Sequence, residues 1–145
     1  MNKSHVRFYW IVWIFLIIVF FIGKIFNIYL LQEIRFFHFF FIIFVVLGLI
    51  DFIYGIKFKN YIKLNHKEKW DELNCIPFLG LKGTNNIREI KFIFSSEYFN
   101  DMNLLKLKDA RKSLIKLEIV HFLSIPISFF LLIILHMNKI ITWPF

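Results

Sequence analysis

Three ionisable residues, Asp51, Glu118 and His121, lie inside strongly apolar stretches of this 145-residue sequence. A charge is costly in such surroundings, so each of them needs a partner or a function. Glu118 and His121 are three positions apart and would share one face of a helix. The spacing E-x-x-H is that of ligands in carboxylate-bridged di-iron bundles, which need a second such pair and further glutamates. One pair and one aspartate would allow a single-metal site, or a half-site that is completed in a dimer.

The same three residues also have interpretations that involve no metal. Asp51 would accept a hydrogen bond from His121 and hold two helices together, while Glu118 would pair with Lys57 or Lys116. A proton-linked role is a further alternative, because the charge of histidine changes near neutral pH. The hydrogen-bonded pair is the interpretation we favour.

Other polar residues in or near the apolar stretches are expected to have ordinary roles. Lys24 lies near one end of the first stretch, where its side chain would extend to the headgroups or pair with Glu33. His38 begins the second stretch and is expected to be packed or interfacial. His66 stands among charged residues in NHKEKW and is expected to be solvated.

No arrangement of residues in the sequence predicts an enzyme. Ser95 and Ser96 lie beside Glu97, but no histidine is placed by the sequence to activate either hydroxyl. The sequence contains no phosphate-binding loop, no series of zinc ligands and no nucleotide-binding fingerprint. A non-enzymatic protein without a cofactor is therefore the favoured prediction.

Three long apolar stretches must position these residues. They cover residues 8–31, 36–56 and 117–136, and each suffices for a helix across about 30 Å of hydrocarbon. A mean hydropathy of +0.65, with 59% hydrophobic and 19% charged residues, excludes an ordinary soluble domain. The first stretch is followed by no small-residue cleavage site, so it is predicted to remain as a membrane helix.

The sequence thus predicts an all-α membrane protein with an N-terminal helical hairpin over residues 8–56 and a third span over residues 117–136. Pro126 falls in the middle of the third span, where a proline kink is tolerated. Amphipathic rings favour the headgroup level. Five aromatic residues near the span ends are therefore expected there: Tyr9, Trp10, Trp13, Tyr54 and Trp143.

Residues 57–116 are predicted to form a small helical segment outside the membrane. A helix is expected to continue from the second span to Leu73, and residues 75–86 have the Pro, Gly and Asn content of a loop. Residues 87–99 fit either a helical stripe or the alternation of a strand, and we favour the helix. Asn100 or Asp101 would then cap a long helix that enters the third span.

Basic residues are distributed unequally between the two sides that this topology creates. The N-terminus and residues 57–116 carry fifteen Lys and Arg residues, whereas the other side carries three. This asymmetry predicts a cytoplasmic N-terminus, a cytoplasmic 57–116 segment and an external C-terminus. The segment has thirteen basic and seven acidic residues, a net charge of 13 − 7 = +6, and is expected to contact anionic headgroups. The charge is thereby assigned to the bilayer and not to nucleic acid.

Residues 60–137 contain HKEKWDELNCIPFL, then IREIKFIFSSEYFND, then the basic run LKDARKSLIKLE before the last span. This order of features resembles a family of small bacterial membrane proteins of the universal stress protein B type. The resemblance implies a bacterial inner-membrane protein and carries over no site residues.

Two functional hypotheses follow from the sequence. The favoured one is a non-enzymatic inner-membrane protein that acts through protein or anionic-lipid contacts of its basic segment, with a partner protein or a homo-oligomer possible. The alternative is a metal or proton site at Asp51, Glu118 and His121 that supports catalysis or transport.

Overall fold

The computed structural model describes residues 3–26, 28, 34–74, 86–97 and 100–141. Within these residues the chain is helical and contains no strand. The prediction of an all-α protein is therefore confirmed. The helices are α1 (Lys3–Ile25), α2 (Phe36–Asn65), α3 (Lys67–Asn74), α4 (Asn86–Phe94) and α5 (Met102–Met137).

Three of these helices, α1, α2 and α5, are long and apolar enough to cross a membrane. The 30 residues of α2 and the 36 residues of α5 give lengths of about 45 Å and 54 Å. Both lengths exceed the roughly 30 Å of a hydrocarbon core. The predicted set of spans, a pair of N-terminal helices and one C-terminal helix, is confirmed.

The first helix has different ends from those predicted. It begins at Lys3 and ends at Ile25. The amide of Ile28 bonds to the carbonyl of Gly23 at 3.0 Å, a six-to-one bond of the kind that closes a helix. Residues 29–33, which include the predicted partner Glu33 of Lys24, lie outside the described residues.

The helix predicted to continue the second span as far as Leu73 is interrupted at His66. Main-chain bonds from His66 to Ile62 and from Trp70 to His66, of 2.8 and 2.9 Å, continue across the interruption between α2 and α3. The His66 side chain is 23% exposed, and its Nε2 lies 2.8 Å from Oδ2 of Asp101. The prediction of a solvated His66 is wrong, because the half-buried imidazole donates a hydrogen bond to a carboxylate that is distant in sequence.

The ambiguous stretch after residue 86 is a helix, α4, as we favoured, and it ends at Phe94. The predicted loop over residues 75–86 lies almost entirely outside the described residues.

Asp101 caps α5 as predicted. Its Oδ1 accepts hydrogen bonds from the amides of Asn103 at 2.8 Å and Leu104 at 3.2 Å. The helix then continues without a break through Pro126. Proline has no amide hydrogen, so the carbonyl of Phe122 lacks its usual intrahelical donor.

The chain divides into two compact units. The first, called the polar unit here, consists mainly of Ile50–Ile115. Its buried core takes residues from α2, α3, α4 and α5, and Trp70 packs against it. The core residues are Phe58, Ile62, Leu73, Phe92, Ile93 and Leu104.

The second unit, called the apolar unit, consists of Ser4–Leu49 and Lys116–Phe145. Phenylalanine rings make up much of its interior. Phe20 stacks on Phe39 with ring centroids 4.4 Å apart, and Phe36 packs on Phe40 at 4.6 Å. Leu132 of α5 belongs to the same buried cluster as Phe20, Phe36 and Phe40, so the three apolar helices make a specific contact with one another.

The carboxylate of Asp101 makes the polar unit sensitive to acid. Hydrogen bonds from His66 first, and from Tyr61 at 2.8 Å second, lower the pKa of Asp101 from 3.8 to about 2. The folded pKa is below the unfolded one, so this carboxylate stabilises the fold above about pH 4. That contribution is lost as the pH falls from about 4 toward 2.

We expect Asp101→Asn to flatten the acid dependence of stability in this range, because asparagine still caps α5 but does not ionise. The free energy of unfolding in detergent micelles, followed by tryptophan fluorescence across this range, would measure the effect. Glu68→Gln removes an exposed carboxylate and should keep the wild-type profile. A variant at position 101 with an unaltered profile would contradict the assignment.

Candidate functional site

A buried guanidinium joins three helices of the polar unit. Arg111 of α5 is 10% exposed, and its Nη1 forms an ion pair with Oδ1 of Asp51 on α2. The same nitrogen donates to the main-chain oxygen of Asp51 at 2.7 Å, and Nη2 donates to Oε1 of Glu89 on α4 at 3.2 Å. Lys59 Nζ lies 3.1 Å from the other oxygen of Glu89. We call Asp51, Lys59, Glu89 and Arg111 the Arg111 network.

The Arg111 network is electrically neutral, with two positive and two negative side chains. A planar guanidinium can serve two carboxylates at once, which a lysine ammonium cannot do with the same geometry. Oδ1 of Asp51 is ion-paired with Nη1 of Arg111, and neither it nor Nε of Arg111 makes a hydrogen bond to the described residues. Removing Arg111 would leave the Asp51 carboxylate without its cation, and breaking a buried pair in this way typically costs about 3–5 kcal/mol.

Gly55 provides the space for the guanidinium. It lies one turn after Asp51 on α2, and a Cβ added there would come within 3.1 Å of Nη1 and 3.3 Å of Cζ of Arg111. The guanidinium therefore lies directly against the main chain of α2. Gly48 on the same helix has no atom within 4 Å of the corresponding position.

A second polar cluster lies in the apolar unit around His121, which is fully buried. The indole Nε1 of Trp13 donates to Nδ1 of His121 at 2.9 Å, and Nε2 lies 3.0 Å from the carbonyl oxygen of Phe40. The Phe40 ring stacks on the imidazole, with centroids 5.5 Å apart and planes 20° apart. Trp13 and Phe40 thus enclose the ring on its edge and on one face.

These contacts fix the proton of His121. An indole can only donate, so Nδ1 must be the unprotonated acceptor. A carbonyl can only accept, so Nε2 must carry the hydrogen. The geometry thus requires neutral imidazole in the Nε2–H tautomer, with both nitrogens engaged.

The structure gives Asp51 and His121 partners other than each other. The predicted bond between Asp51 and His121 is wrong, since Asp51 pairs with Arg111 and His121 with Trp13 and Phe40. Within the described ranges, no group of three or more His, Cys, Asp or Glu side chains is placed to hold a metal ion. Glu118 is half-buried in α5, and its pairing with Lys57 or Lys116 stays a prediction.

Other predicted residues have mixed outcomes. Lys24 is 2% exposed, with Nζ 5.6 Å from the centre of the Phe20 ring, so its ammonium is enclosed, and the predicted alternative of a bond to Glu33 stays a prediction. His38 is exposed beside a groove of about 560 Å³ lined by aromatic rings. Ser95 has a structural role, because its Oγ donates to the Phe92 carbonyl at 2.8 Å at the end of α4.

Comparison of the chain with protein-family models, curated protein sequences and solved structures gave no match. The functional interpretation therefore depends on the geometry of the chain itself.

Sequence reasoning singled out Asp51 and His121 but missed the other members of these clusters. Arg111 and Glu89 had been treated as charges of the polar segment, and Trp13 as an aromatic residue at the headgroup level. The available signal was Asp51, since an acid within an apolar helix requires a cation from elsewhere in the chain. Which cation it would be depends on how α5 packs on α2, and no local pattern encodes that.

We expect Gly55→Ala to lower the free energy of unfolding by about 1–3 kcal/mol, because the methyl group would displace a guanidinium held on two sides. Gly48→Ala is the matched control and should be neutral or stabilise by up to about 1 kcal/mol, the usual helix preference for alanine. Equilibrium unfolding in micelles would measure both variants. Equal stabilisation by the two alanines would show that Arg111 does not lie against Gly55.

We expect Trp13→Phe to lower the free energy of unfolding by about 1–3 kcal/mol, because it leaves Nδ1 of the buried His121 without a hydrogen-bond donor. Nitrogen-15 NMR of the imidazoles should show wild-type His121 in the pure Nε2–H tautomer. His38, with its exposed ring, is the internal reference and should show exchange between tautomers. A protonated or Nδ1–H His121 in the wild-type protein would refute the assigned hydrogen bonds.

Proposed function

We propose that this chain is a non-enzymatic, multi-pass protein of the bacterial inner membrane that acts through its basic segment, residues 57–116. The partner that we propose is the anionic headgroup region of the cytoplasmic leaflet. The observation that supports this most strongly is that several described cations of this segment are paired internally, whereas others are exposed.

The internal set stabilises the polar unit. Lys69 Nζ lies 2.9 Å from carboxylate oxygens of both Glu72 and Glu97. Burial alone would lower the pKa of Lys69, but these two carboxylates outweigh burial and raise the pKa, so the ammonium stays charged. Lys108 bonds to Ser95 Oγ and the Glu97 carbonyl, both at 3.2 Å.

Two of these ammonium groups also lie over one aromatic ring. Lys69 Nζ is 5.0 Å and Lys108 Nζ is 4.8 Å from the centre of the Phe92 ring. Cation–π contacts of this kind are favourable in partly desolvated surroundings. Lys69 and Lys108, like Lys59 and Arg111, are therefore engaged in contacts within the polar unit.

The exposed cations are free to contact a surface outside the polar unit. Each basic group near an anionic leaflet contributes on the order of 1 kcal/mol to the free energy of binding to the membrane surface, and the contributions of a cluster add. A lipid surface requires no shaped pocket, which suits a set of separate lysines on different helices. The exposed members are Lys57, Lys63, Lys67, Lys91 and Lys116.

Lys57 and Lys63 provide the test. In nanodiscs of mixed lipids, we expect Lys57→Gln/Lys63→Gln to reduce the enrichment of phosphatidylglycerol over phosphatidylcholine around the protein by about tenfold. Lys57→Arg/Lys63→Arg keeps both charges and is the matched control, which should retain wild-type enrichment. Native mass spectrometry of the released protein–lipid complexes would measure the ratio. Wild-type enrichment in the glutamine pair would contradict the proposal.

Orientation is tested with the same protein in cells. A membrane-impermeant maleimide applied to intact cells should leave Cys75 unmodified and should modify Lys139→Cys in a Cys75→Ser background. Labelling of Cys75 from outside would place the basic segment on the wrong side for the cytoplasmic leaflet.

A further inference from the structure

The short helix α4 presents apolar residues on its outer face. Ile87, Ile90 and Phe94 are 68%, 46% and 38% exposed. Their spacing of three and four residues places them in one line along the helix. We call these three residues the α4 stripe. Lys91 is the fourth exposed residue on this face.

The opposite face of α4 packs against the rest of the polar unit. Phe92 and Ile93 enter the core of the polar unit, and Glu89 is a member of the Arg111 network. At about 100° per residue, the α4 stripe and Lys91 occupy an arc of roughly 100° that contains no acidic residue. In a helix surrounded by water, this arc would be the polar face. Here the exposed arc is apolar with one cation.

The Arg111 network determines which part of α2 lies beside α4. Glu89 contacts Lys59 directly and is connected to Asp51 through the guanidinium of Arg111. Asp51 lies within the predicted second span, residues 36–56, about 8 Å from its end along the helix axis. Lys59 lies just beyond that end. The direct contact of Glu89 with Lys59 and its indirect connection to Asp51 through Arg111 therefore lie on either side of the predicted membrane boundary on α2.

We infer that α4 is an interfacial helix whose stripe of Ile87, Ile90 and Phe94 enters the leaflet that borders the polar unit. This inference deepens the proposed function and rests on its assignment of the basic segment to an anionic leaflet. An apolar face with basic residues beside it is the composition of helices that lie in the plane of a membrane.

The charges around the stripe fit the same partner. Lys91 is exposed on the stripe itself, and Lys112 of α5 places Nζ 5.6 Å from the centre of the Phe94 ring. An ammonium beside an inserted ring lies at the height of lipid phosphates. Three further exposed apolar residues lie on α2 between the network residues Asp51 and Lys59: Phe52, Ile53 and Ile56.

Site-directed spin labelling of the full chain tests this placement. A nitroxide is attached to Ile90→Cys in a Cys75→Ser background, in nanodiscs of phosphatidylethanolamine and phosphatidylglycerol. Oxygen concentrates in hydrocarbon, whereas a nickel chelate stays in water. We expect the label at position 90 to be several-fold more accessible to oxygen than to the chelate. Glu68→Cys on the exposed side of α3 is the matched control and should show the reverse order.

Each other outcome overturns the inference. A label at position 90 as accessible to the chelate as the label at position 68 would place α4 in water. Dipolar broadening between labels would assign the stripe to a second copy of the chain, and protection from both reagents would assign it to protein contact. Ile87→Cys repeats the measurement one turn away. If α4 is in water while phosphatidylglycerol enrichment persists, the inference fails and the proposed function stands.

Discussion

The burial of one guanidinium between two carboxylates is the interaction on which the polar half of this protein depends. Arg111 brings together α2, α4 and α5, which are widely separated along the sequence. A buried arginine without partners would be prohibitively costly, so the three helices are required to pack where Asp51 and Glu89 can both reach it. Apolar packing of Phe58, Ile93 and Leu104 stabilises the same helices but is less particular about their register.

The apolar half solves a similar problem with neutral groups. His121 is enclosed by an indole that donates and a carbonyl that accepts, so its polar atoms are satisfied without any net charge. This difference follows from solvent. A neutral hydrogen-bonded pair is tolerated within a bundle of membrane helices, whereas ion pairs are favoured toward the ends of the membrane spans, where water and headgroups are closer.

The helices were largely predictable because their determinants are local. Apolar length identifies α1, α2 and α5, and Asp101 marks the start of α5 by its capping chemistry. The partners of the polar side chains were not predictable in the same way. Asp51 and His121 were correctly singled out as residues in need of partners, yet each found a different one, because the choice depends on how distant helices rotate against each other. His66 illustrates the same limit. Its charged neighbours in sequence predicted a solvated imidazole, whereas in the structure the imidazole is hydrogen-bonded to Asp101, 35 residues away.

Gly55 has a consequence beyond the fold of this one chain. A methyl group at position 55 would come within 3.1 Å of the guanidinium, so the residues acceptable at positions 55 and 111 depend on each other although the two are distant in sequence. As related sequences drift apart, alanine or serine should become acceptable at position 55 only where position 111 has lost its arginine. Coupled replacement at these two positions would then be a signature by which distant relatives of this protein could be recognised.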